Sequence, residues 1–212
     1  MSLTLVIGNK NYSSWSLRAG LVLALTESDF AELRIPLYTP QSRAQLKVHS
    51  PTGKVPVLKV DGEVIWDSLA IVEYLAERFP EKRLWPEDPL VRAHARALCA
   101  EMHSGFLALR RELPMDLRRT PTVKALSLDV LSDVDRIQRL WTECRERHGA
   151  AGAFLFGTPS IADAFYAPVA SRFRSYGVPL TGLAEAYVET IYQWQPFRQW
   201  MAAAQREEEI LT

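Results

Sequence analysis

Short apolar runs alternate with segments of helical periodicity over the first eighty residues of the chain. The apolar runs are short enough for buried strands. They lie at residues 3–7, 31–37, 55–60 and 63–66. Apolar residues recur at helical intervals over 15–27 and 67–79, and a polar segment at 41–49 is weakly helical. The predicted order of elements is therefore β-α-β-α-β-β-α.

Turn residues and chain direction indicate how these strands pair. Asp61-Gly62 joins the last two runs and is the strongest short signal for an antiparallel hairpin. The first two strands are connected through a helix, so we expect them to be parallel. Asp67 or Ser68 is placed to cap the helix after the hairpin. These features predict a small mixed sheet with helices on its faces.

A proline-rich break separates this α/β region from the rest of the chain. Residues 80–89 contain three prolines, and we place a linker at 81–88 between a first domain at 1–80 and a second at 89–212. No strand pattern follows the break. Helices are predicted at 89–111, 123–147, 160–176, 183–193 and 196–209. The second domain is therefore predicted to be all-α.

Composition and charge narrow the class of protein. Hydrophobic residues make up 48% and charged residues 24% of the 212 residues, which is typical of globular proteins. Lys plus Arg and Asp plus Glu number 25 each, so charge gives no reason to expect nucleic acid or an anionic membrane as a partner. Two cysteines exclude a disulfide framework, the four histidines lack ligand spacing, and no metal is expected. With no export signal and no apolar stretch near the ~20 residues that span a bilayer, we expect a cytoplasmic protein.

The motif Ser13-Ser14-Trp15-Ser16 lies where the first strand meets the first helix. The carboxyl edge of a sheet is where open α/β folds bind ligands, and free N–H groups at a helix start favour anions. Serine is also a common N-cap, so a purely structural role is equally compatible with this motif. The motif contains no thiol, which excludes disulfide exchange at this position.

Each of two further motifs has both a structural and a ligand-binding interpretation. Pro56 either starts a strand or forms a cis bond with Val55 that leaves the Val55 backbone able to pair with an extended ligand. Asp67 and Ser68 either cap a helix or hold a zwitterion. In the second case Asp67 takes the ammonium group, and the Ser68 hydroxyl takes the carboxylate together with helix N–H groups.

Other polar positions indicate structural roles. Ser160 and Asp163 fit a capping box at the start of a helix, and we interpret both as structural. The pairs Arg110-Arg111 and Arg118-Arg119 are expected to be solvated.

Taken in order, these motifs resemble those of the cytosolic glutathione transferases of the serine type, notably the zeta and tau classes. The resemblance covers essentially the whole chain. The zeta pattern is Ser-Ser-Cys followed by an arginine, and Trp15 stands here where that cysteine would be. The resemblance implies an α/β thioredoxin-like N-terminal domain (βαβαββα), an all-α C-terminal domain and a homodimer.

The resemblance also implies a role for each motif toward glutathione as co-substrate. Ser13 matches the hydroxyl that donates a hydrogen bond to the glutathione sulfur, and Ser14 is the second candidate. Asp67 and Ser68 match the pair that holds the γ-glutamyl end.

The middle of glutathione is assigned in the same way. Lys54 matches a position that holds the glycine carboxylate in some classes, Val55 the residue whose backbone pairs with the cysteinyl part, and Pro56 the cis proline. Arg18, Gln41 and His49 are weaker candidates for outer contacts.

A second, electrophilic substrate is expected between the domains, against the helix at 89–111. Position alone suggests that Tyr12, Trp15, Met102 and Phe106 line its pocket.

Three functions remain open at this point. The leading prediction is a glutathione transferase that joins the thiol of glutathione to small hydrophobic electrophiles. A glutathione-dependent isomerase of the maleylacetoacetate isomerase type needs cationic groups for a dicarboxylate; Arg172 and Arg174 lie in the right helix but not cleanly in the expected register. The third is a non-catalytic module that binds glutathione without activating its thiol.

Overall fold

Four short strands form one mixed sheet in the computed structural model, which describes residues 2–210. The strands are β1 (Leu3–Ile7), β2 (Ala31–Arg34), β3 (Val57–Val60) and β4 (Glu63–Ile65), in the order β2-β1-β3-β4. β1 is parallel to β2 and antiparallel to β3, and β3 and β4 form a hairpin. Asp61 and Gly62 in its turn have φ angles of 49° and 97°, the left-handed region that such a turn requires. The predicted pairing of the strands is confirmed.

Helices cover both faces of this sheet because its side chains alternate. The N-terminal helices are α1 (Ser14–Leu25), α2 (Ser42–His49) and α3 (Ser68–Arg78). Leu5 and Ile7 of β1 point into the main hydrophobic core, whereas Val6 between them packs in a second cluster with Leu46 of α2.

The second region is built from helices, as predicted. They are α4 (Pro89–Ser104), α5 (Leu107–Glu112), α6 (Leu128–His148), α7 (Ile161–Ser175), α8 (Gly182–Gln193) and α9 (Gln195–Ala204). Two isolated bridges at 154–158 add the only β pairing described after residue 88. None of the helices in the described part of the chain is long and apolar enough to cross a membrane.

The predicted helix at 89–111 is in fact two helices. α4 ends at Ser104, and Phe106 has a φ of 58°, which an α-helix cannot continue through. The Arg110 guanidinium donates hydrogen bonds to the carbonyls of Met102 and Gly105 and so satisfies groups that the end of α4 exposes.

Three other predicted boundaries are also wrong. α6 begins at Leu128 rather than 123, because the Ser127 hydroxyl accepts a hydrogen bond from the Val130 N–H and caps the helix there. β2 ends before Pro36, which has no N–H to donate. α9 ends at Ala204 instead of 209, since the following residues make contacts with the N-terminal region.

The capping box at the start of α7 is confirmed. The buried Asp163 carboxylate accepts hydrogen bonds from the N–H and hydroxyl of Ser160, both at 2.9 Å. It also accepts from the Leu155 N–H at 3.1 Å and the Tyr187 hydroxyl at 3.0 Å. Burial raises the pKa of Asp163 to about 6, although these hydrogen bonds oppose the rise.

Candidate functional site

The loop at residues 8–12 carries the chain from the carboxyl end of β1 into α1, and Ser13 caps that helix. Its hydroxyl oxygen accepts a hydrogen bond from the Ser16 N–H at 3.2 Å and donates to the Ser16 hydroxyl at 2.8 Å. Ser16 in turn accepts from the Gly8 N–H at 3.1 Å. Ser13 therefore has the structural role that its residue type permits, and its proton is directed at Ser16.

Ser14 differs from Ser13 in the hydrogen bonding of its hydroxyl. It is the first residue of α1 and is 6% exposed, and its hydroxyl makes no hydrogen bond to the described residues. The N–H groups of Ser14 and Ser16 in the same helical turn already have partners, the Tyr12 carbonyl and the Ser13 hydroxyl. Of the two predicted hydroxyls, Ser14 can therefore donate to a ligand without breaking an existing bond.

The start of α3 offers a second group of polar atoms. Asp67 caps the helix by accepting from the Leu69 N–H at 3.0 Å, and its other oxygen lies 3.0 Å from the Nε2 atom of His103. The Ser68 hydroxyl is buried and has no hydrogen-bond partner among residues 2–210. An unsatisfied buried hydroxyl is uncommon and costs stability unless a ligand completes it.

The segment before β3 supplies the remaining predicted contacts. The Val55–Pro56 bond is cis, the geometry that the family resemblance implies. The Lys54 N–H donates to the Ser50 hydroxyl at 3.1 Å, while the Lys54 side chain is exposed and makes no ion pair with the described residues. The Trp66–Asp67 bond is also cis.

Trp15 and Met102, two of the four residues predicted to line the second-substrate pocket, meet around the Arg110 guanidinium, whereas Phe106 is linked to Arg110 through the backbone. The Trp15 ring lies 4.9 Å from the Arg110 guanidinium, which also donates to the Met102 sulfur at 3.3 Å. The Phe106 carbonyl accepts from the Arg110 N–H at 3.1 Å. Tyr12, the fourth, contacts Arg118 and the Glu209 carbonyl.

Trp15 is also flanked by Arg18, which the sequence offered only as a weaker candidate for an outer contact, and by His103, which it did not assign to the site. The Arg18 guanidinium lies 4.3 Å from the Trp15 ring, and His103 packs against that ring edge-on at 5.2 Å. Arg18 and Trp15 are three residues apart on one helix, a spacing that could have indicated their contact. His103 comes from α4, and no local pattern relates it to Asp67.

Arg18, Arg110 and Arg172 form a cluster of positive charge beside Trp15. Arg18 is fully buried; its Nε donates to the Phe165 carbonyl at 3.3 Å, but both terminal nitrogens lack partners among the described residues. Arg172 is buried and donates to the Leu113 carbonyl at 2.8 Å. Within residues 2–210, no carboxylate forms an ion pair with any of the three arginines.

Burial lowers the pKa of all three arginines, and at Arg110 the Asp133 carboxylate opposes this effect. Burial lowers the pKa of Arg18 well below its usual value, and the charges of Arg110 and Arg172 lower it further. Burial, with Arg110 adding to it, lowers the pKa of Arg172 to about 9. A bound anion would relieve this repulsion.

Two expectations about arginines are therefore corrected. Arg110 and Arg118 are half-buried and hydrogen-bonded rather than solvated. Arg18 lies in the interior instead of making an outer contact. The aromatic ring of Trp15 and the carbonyls at helix ends give these guanidiniums partners that a sequence pattern does not display.

Two sequence families match this chain. The family described as "Glutathione S-transferase, N-terminal domain" matches residues 12–78, and "Glutathione S-transferase, C-terminal domain" matches residues 92–203. Together they cover three of the four strands, the serine motif and most of the helical region.

Curated relatives carry two kinds of name. Maleylacetoacetate isomerase of Rhizobium meliloti (strain 1021) is 32% identical over 181 residues, covering 79% of this chain and 81% of the relative. Glutathione S-transferase Z1 of Arabidopsis thaliana is 29% identical over 193 residues, covering 84% and 85%. A probable maleylacetoacetate isomerase of Caenorhabditis elegans is 43% identical over 97 residues, and there the chain spans about half the relative's length, 45%.

Solved structures share the fold over nearly the whole chain. A bacterial maleyl pyruvate isomerase of the zeta class has a TM-score of 0.75 at 24% identity, covering 97% of this chain and 100% of that one. A glutathione transferase homologue from Burkholderia, with bound glutathione, has a TM-score of 0.75 at 23% identity, covering 98% and 100%.

Proposed function

Because the chain belongs to the glutathione S-transferase family, we propose that it binds glutathione at the starts of α1 and α3 and stabilises its thiolate with a serine hydroxyl. The observation that carries this proposal is the pair Ser13-Ser14 at the N-terminus of α1, with the Ser14 hydroxyl free to donate. Ser13 can donate only by giving up its bond to Ser16.

A serine hydroxyl and the N-terminus of α1 can supply the free energy needed to stabilise the thiolate. A free thiol has a pKa near about 8.5, and lowering it by roughly two units takes about 2.7 kcal/mol of preferential thiolate stabilisation. One hydrogen bond to a charged group contributes on the order of 1.5–3 kcal/mol, and a helix N-terminus about 0.3–1 kcal/mol more. Serine acts here as a donor; neither a general base nor a covalent intermediate is needed.

The remaining glutathione contacts follow from the groups available around these serines. The partnerless Ser68 hydroxyl and the first N–H groups of α3 suit the γ-glutamyl carboxylate, with Asp67 for its ammonium group. The Val55 backbone, beside Pro56, suits the cysteinyl part, and the exposed Lys54 ammonium suits the glycine carboxylate. These contacts supply binding and positioning.

The second substrate is a small electrophile that approaches the thiolate from the helical side. Trp15, Met102 and Phe106 supply apolar surface for it, with Tyr12 at the neighbouring loop. The homodimer and the cytoplasmic localisation remain predictions. Sedimentation at twice 24.0 kDa would support the dimer, and a 24.0 kDa species would contradict it.

A second candidate is glutathione-dependent isomerisation of a dicarboxylate, and the arginine cluster favours it. Arg18, Arg110 and Arg172 concentrate positive charge beside Trp15, and none of them forms an ion pair with a carboxylate among the described residues. A substrate carboxylate would neutralise that charge. Maleylacetoacetate isomerases among the relatives support this candidate, while Trp15 in place of the motif cysteine weighs against it.

A turnover screen tests the proposal and separates its two forms. Glutathione would be offered with several hydrophobic electrophiles and, separately, with maleylacetone, to the wild type and to Ser13→Ala and Ser14→Ala. Conjugation indicates the transferase, and isomerisation of maleylacetone the isomerase. Equal activity in all three proteins would mean that neither hydroxyl serves the thiolate.

The non-catalytic alternative is tested by binding. Isothermal titration measures glutathione affinity, and absorbance at about 240 nm measures thiolate. Binding with no thiolate at pH 7 would favour a glutathione-binding module and contradict the proposal.

A further inference from the structure

Residues 205–210 follow α9 and lie against the loop at 8–12; we call this segment the strap. Glu207 makes the central contact. One oxygen of its carboxylate accepts from the Lys10 N–H at 2.7 Å, and the other accepts from the Asn11 N–H at 3.0 Å. The Glu207 side chain is 6% exposed, so both hydrogen bonds are shielded from water.

The strap is itself held from two sides. The Arg118 guanidinium donates to the backbone carbonyls of Glu207 and Glu209, and also to the Tyr12 hydroxyl at 3.2 Å. Arg34, at the end of β2, lies 2.7 Å from a Glu209 carboxylate oxygen and 3.5 Å from a Glu207 oxygen. Glu207 is therefore fixed relative to the sheet.

The amides that Glu207 binds lie close in the chain to the serine pair. The Ser13 N–H donates to the Asn9 carbonyl at 2.8 Å, and the Ser14 N–H donates to the Tyr12 carbonyl at 3.1 Å. The backbone of residues 9–12 thus sets where α1 begins. A displacement at Lys10 and Asn11 would move the point from which both hydroxyls project.

We infer that Glu207 is a positioning residue that holds the loop at 8–12 and thereby orients Ser13 and Ser14 toward the glutathione sulfur. The inference rests on the proposed function. Two hydrogen bonds from adjacent amides to one carboxylate are charge-assisted and directional. Without that acceptor, two N–H groups would be left unsatisfied and the loop would shift to find other partners. A catalytic contact depends on placement within about 0.5 Å, so a small shift is sufficient.

The variant Glu207→Gln tests this inference, with Glu208→Gln as a matched control. Both changes remove one negative charge from the strap, but Glu208 is exposed and makes no hydrogen bond or ion pair with the described residues. In Glu207→Gln the new side-chain amide keeps one acceptor oxygen and turns an NH₂ group toward the second backbone amide. The readout is the pKa of the thiol of bound glutathione, titrated by thiolate absorbance.

The direction in which the pKa of the glutathione thiol shifts distinguishes a loss of positioning from the loss of a negative charge. Removing a negative charge near a thiolate by itself lowers the pKa of the thiol. Loss of positioning raises it, and we expect Glu207→Gln to raise it by about 0.5 unit or more, while Glu208→Gln leaves it at the wild-type value. A wild-type or lowered pKa in Glu207→Gln would overturn the inference.

Amide hydrogen exchange gives a second readout that does not depend on glutathione. We expect exchange in the loop at 8–12 to be at least about tenfold faster in Glu207→Gln than in the wild type or Glu208→Gln. Unchanged exchange would overturn the inference. If Glu207→Gln fails to fold, Arg118→Lys is used instead. This variant keeps the positive charge but lacks the guanidinium that donates to both strap carbonyls. The raised thiol pKa and the faster exchange in the loop at 8–12 are then expected of Arg118→Lys.

Different results would contradict the proposed function and the role of Glu207. If wild-type protein forms no thiolate with glutathione at pH 7, the proposed function falls, and the inference falls with it. If the wild type ionises glutathione and Glu207→Gln behaves like Glu208→Gln, only the inference falls.

Discussion

Single hydroxyl groups distinguish a ligand site from ordinary helix capping in this protein. Ser13 and Asp67 both cap helices and would be present for structural reasons alone. Ser68 has no such reason, because its buried hydroxyl forms no bond within the described residues. Its cost to the free protein is explained if glutathione binds there.

Replacing Ser68 with alanine should therefore weaken binding without weakening the fold. We expect Ser68→Ala to raise the KM for glutathione by roughly three- to tenfold, which corresponds to one hydrogen bond. The free energy of unfolding of the unliganded protein should stay equal or rise by up to about 1 kcal/mol, because an unsatisfied buried group is removed. Steady-state kinetics and urea unfolding measure the two effects.

Ser127→Ala is the control, for which we expect the opposite effects on stability and on the KM for glutathione. It removes the N-cap of α6 and should cost about 1 kcal/mol of stability while leaving the KM unchanged. Loss of stability in Ser68→Ala with an unchanged KM would contradict the assignment of Ser68 to the ligand site.

The site residues that the sequence identified can be placed at helix N-termini from the residues next to them in the chain. Ser13, Ser14, Asp67 and Ser68 follow strands and precede helices, so their position at helix N-termini was predictable. Their roles toward glutathione remain proposals. Arg110 and His103 contact Trp15 from helices far from α1 in the chain, which local patterns do not encode.

The elements of the chain were predictable where a turn residue marks a boundary. Asp61-Gly62 marked the hairpin, and Ser160 with Asp163 marked the start of α7. The break between α4 and α5 was missed because the apolar periodicity continues through Phe106, which has a left-handed backbone, and because the hydrogen bonds of the Arg110 side chain to the end of α4 leave no sequence pattern. The domain boundary at 81–88 stays a prediction.

The buried Asp163 carboxyl group at the start of α7 should make the free energy of unfolding depend on pH. The pKa of folded Asp163 is about 6, above the value near 4 expected in the unfolded chain. Protonation therefore favours the folded state, and this contribution is present below pH 4 and lost as pH rises through 6. Relative to Asp163→Asn, the wild type should lose on the order of 3 kcal/mol of unfolding free energy between pH 4 and pH 7.

Denaturant unfolding across this pH range gives the difference between the two proteins. Comparing with Asp163→Asn cancels the surface carboxylates, whose depressed pKa values, as for Glu27 beside Lys82, give the opposite slope. Asp135→Asn, at an exposed position, should not change the slope. A difference that is flat, or that grows with pH, would contradict the assignment.

At the scale of the whole molecule, α1 joins the two regions. Its neighbours include α3 on one side and α7 and α9 on the other. A Cβ atom at Gly20 would lie 2.2 Å from the six-membered ring of Trp200 on α9, so close packing there requires glycine. Trp200 also donates to the Lys10 carbonyl at 3.0 Å, which links this contact to the serine loop.

Gly20→Ala should therefore destabilise the protein although alanine favours helices. Helix propensity alone would add about 1 kcal/mol of stability, but overpacking against a rigid ring costs about 1–3 kcal/mol or more. We expect a net loss in urea unfolding. Gly149→Ala, where φ is –72° and the nearest atom lies 3.7 Å from the added Cβ, should be neutral or stabilising. Equal stability of the two variants would contradict close packing of α1 on α9.

The most direct test of the whole account is the pKa of the thiol of glutathione bound to the wild type, Ser13→Ala and Ser14→Ala. We expect a wild-type pKa about two units below that of free glutathione, and a rise of about one unit or more in Ser14→Ala with unchanged stability. Ser13→Ala should lose about 1 kcal/mol of unfolding free energy as a cap variant, with a smaller rise in the pKa. An unshifted wild-type pKa, or one that neither substitution changes, would contradict the claim that a serine at the start of α1 stabilises the thiolate.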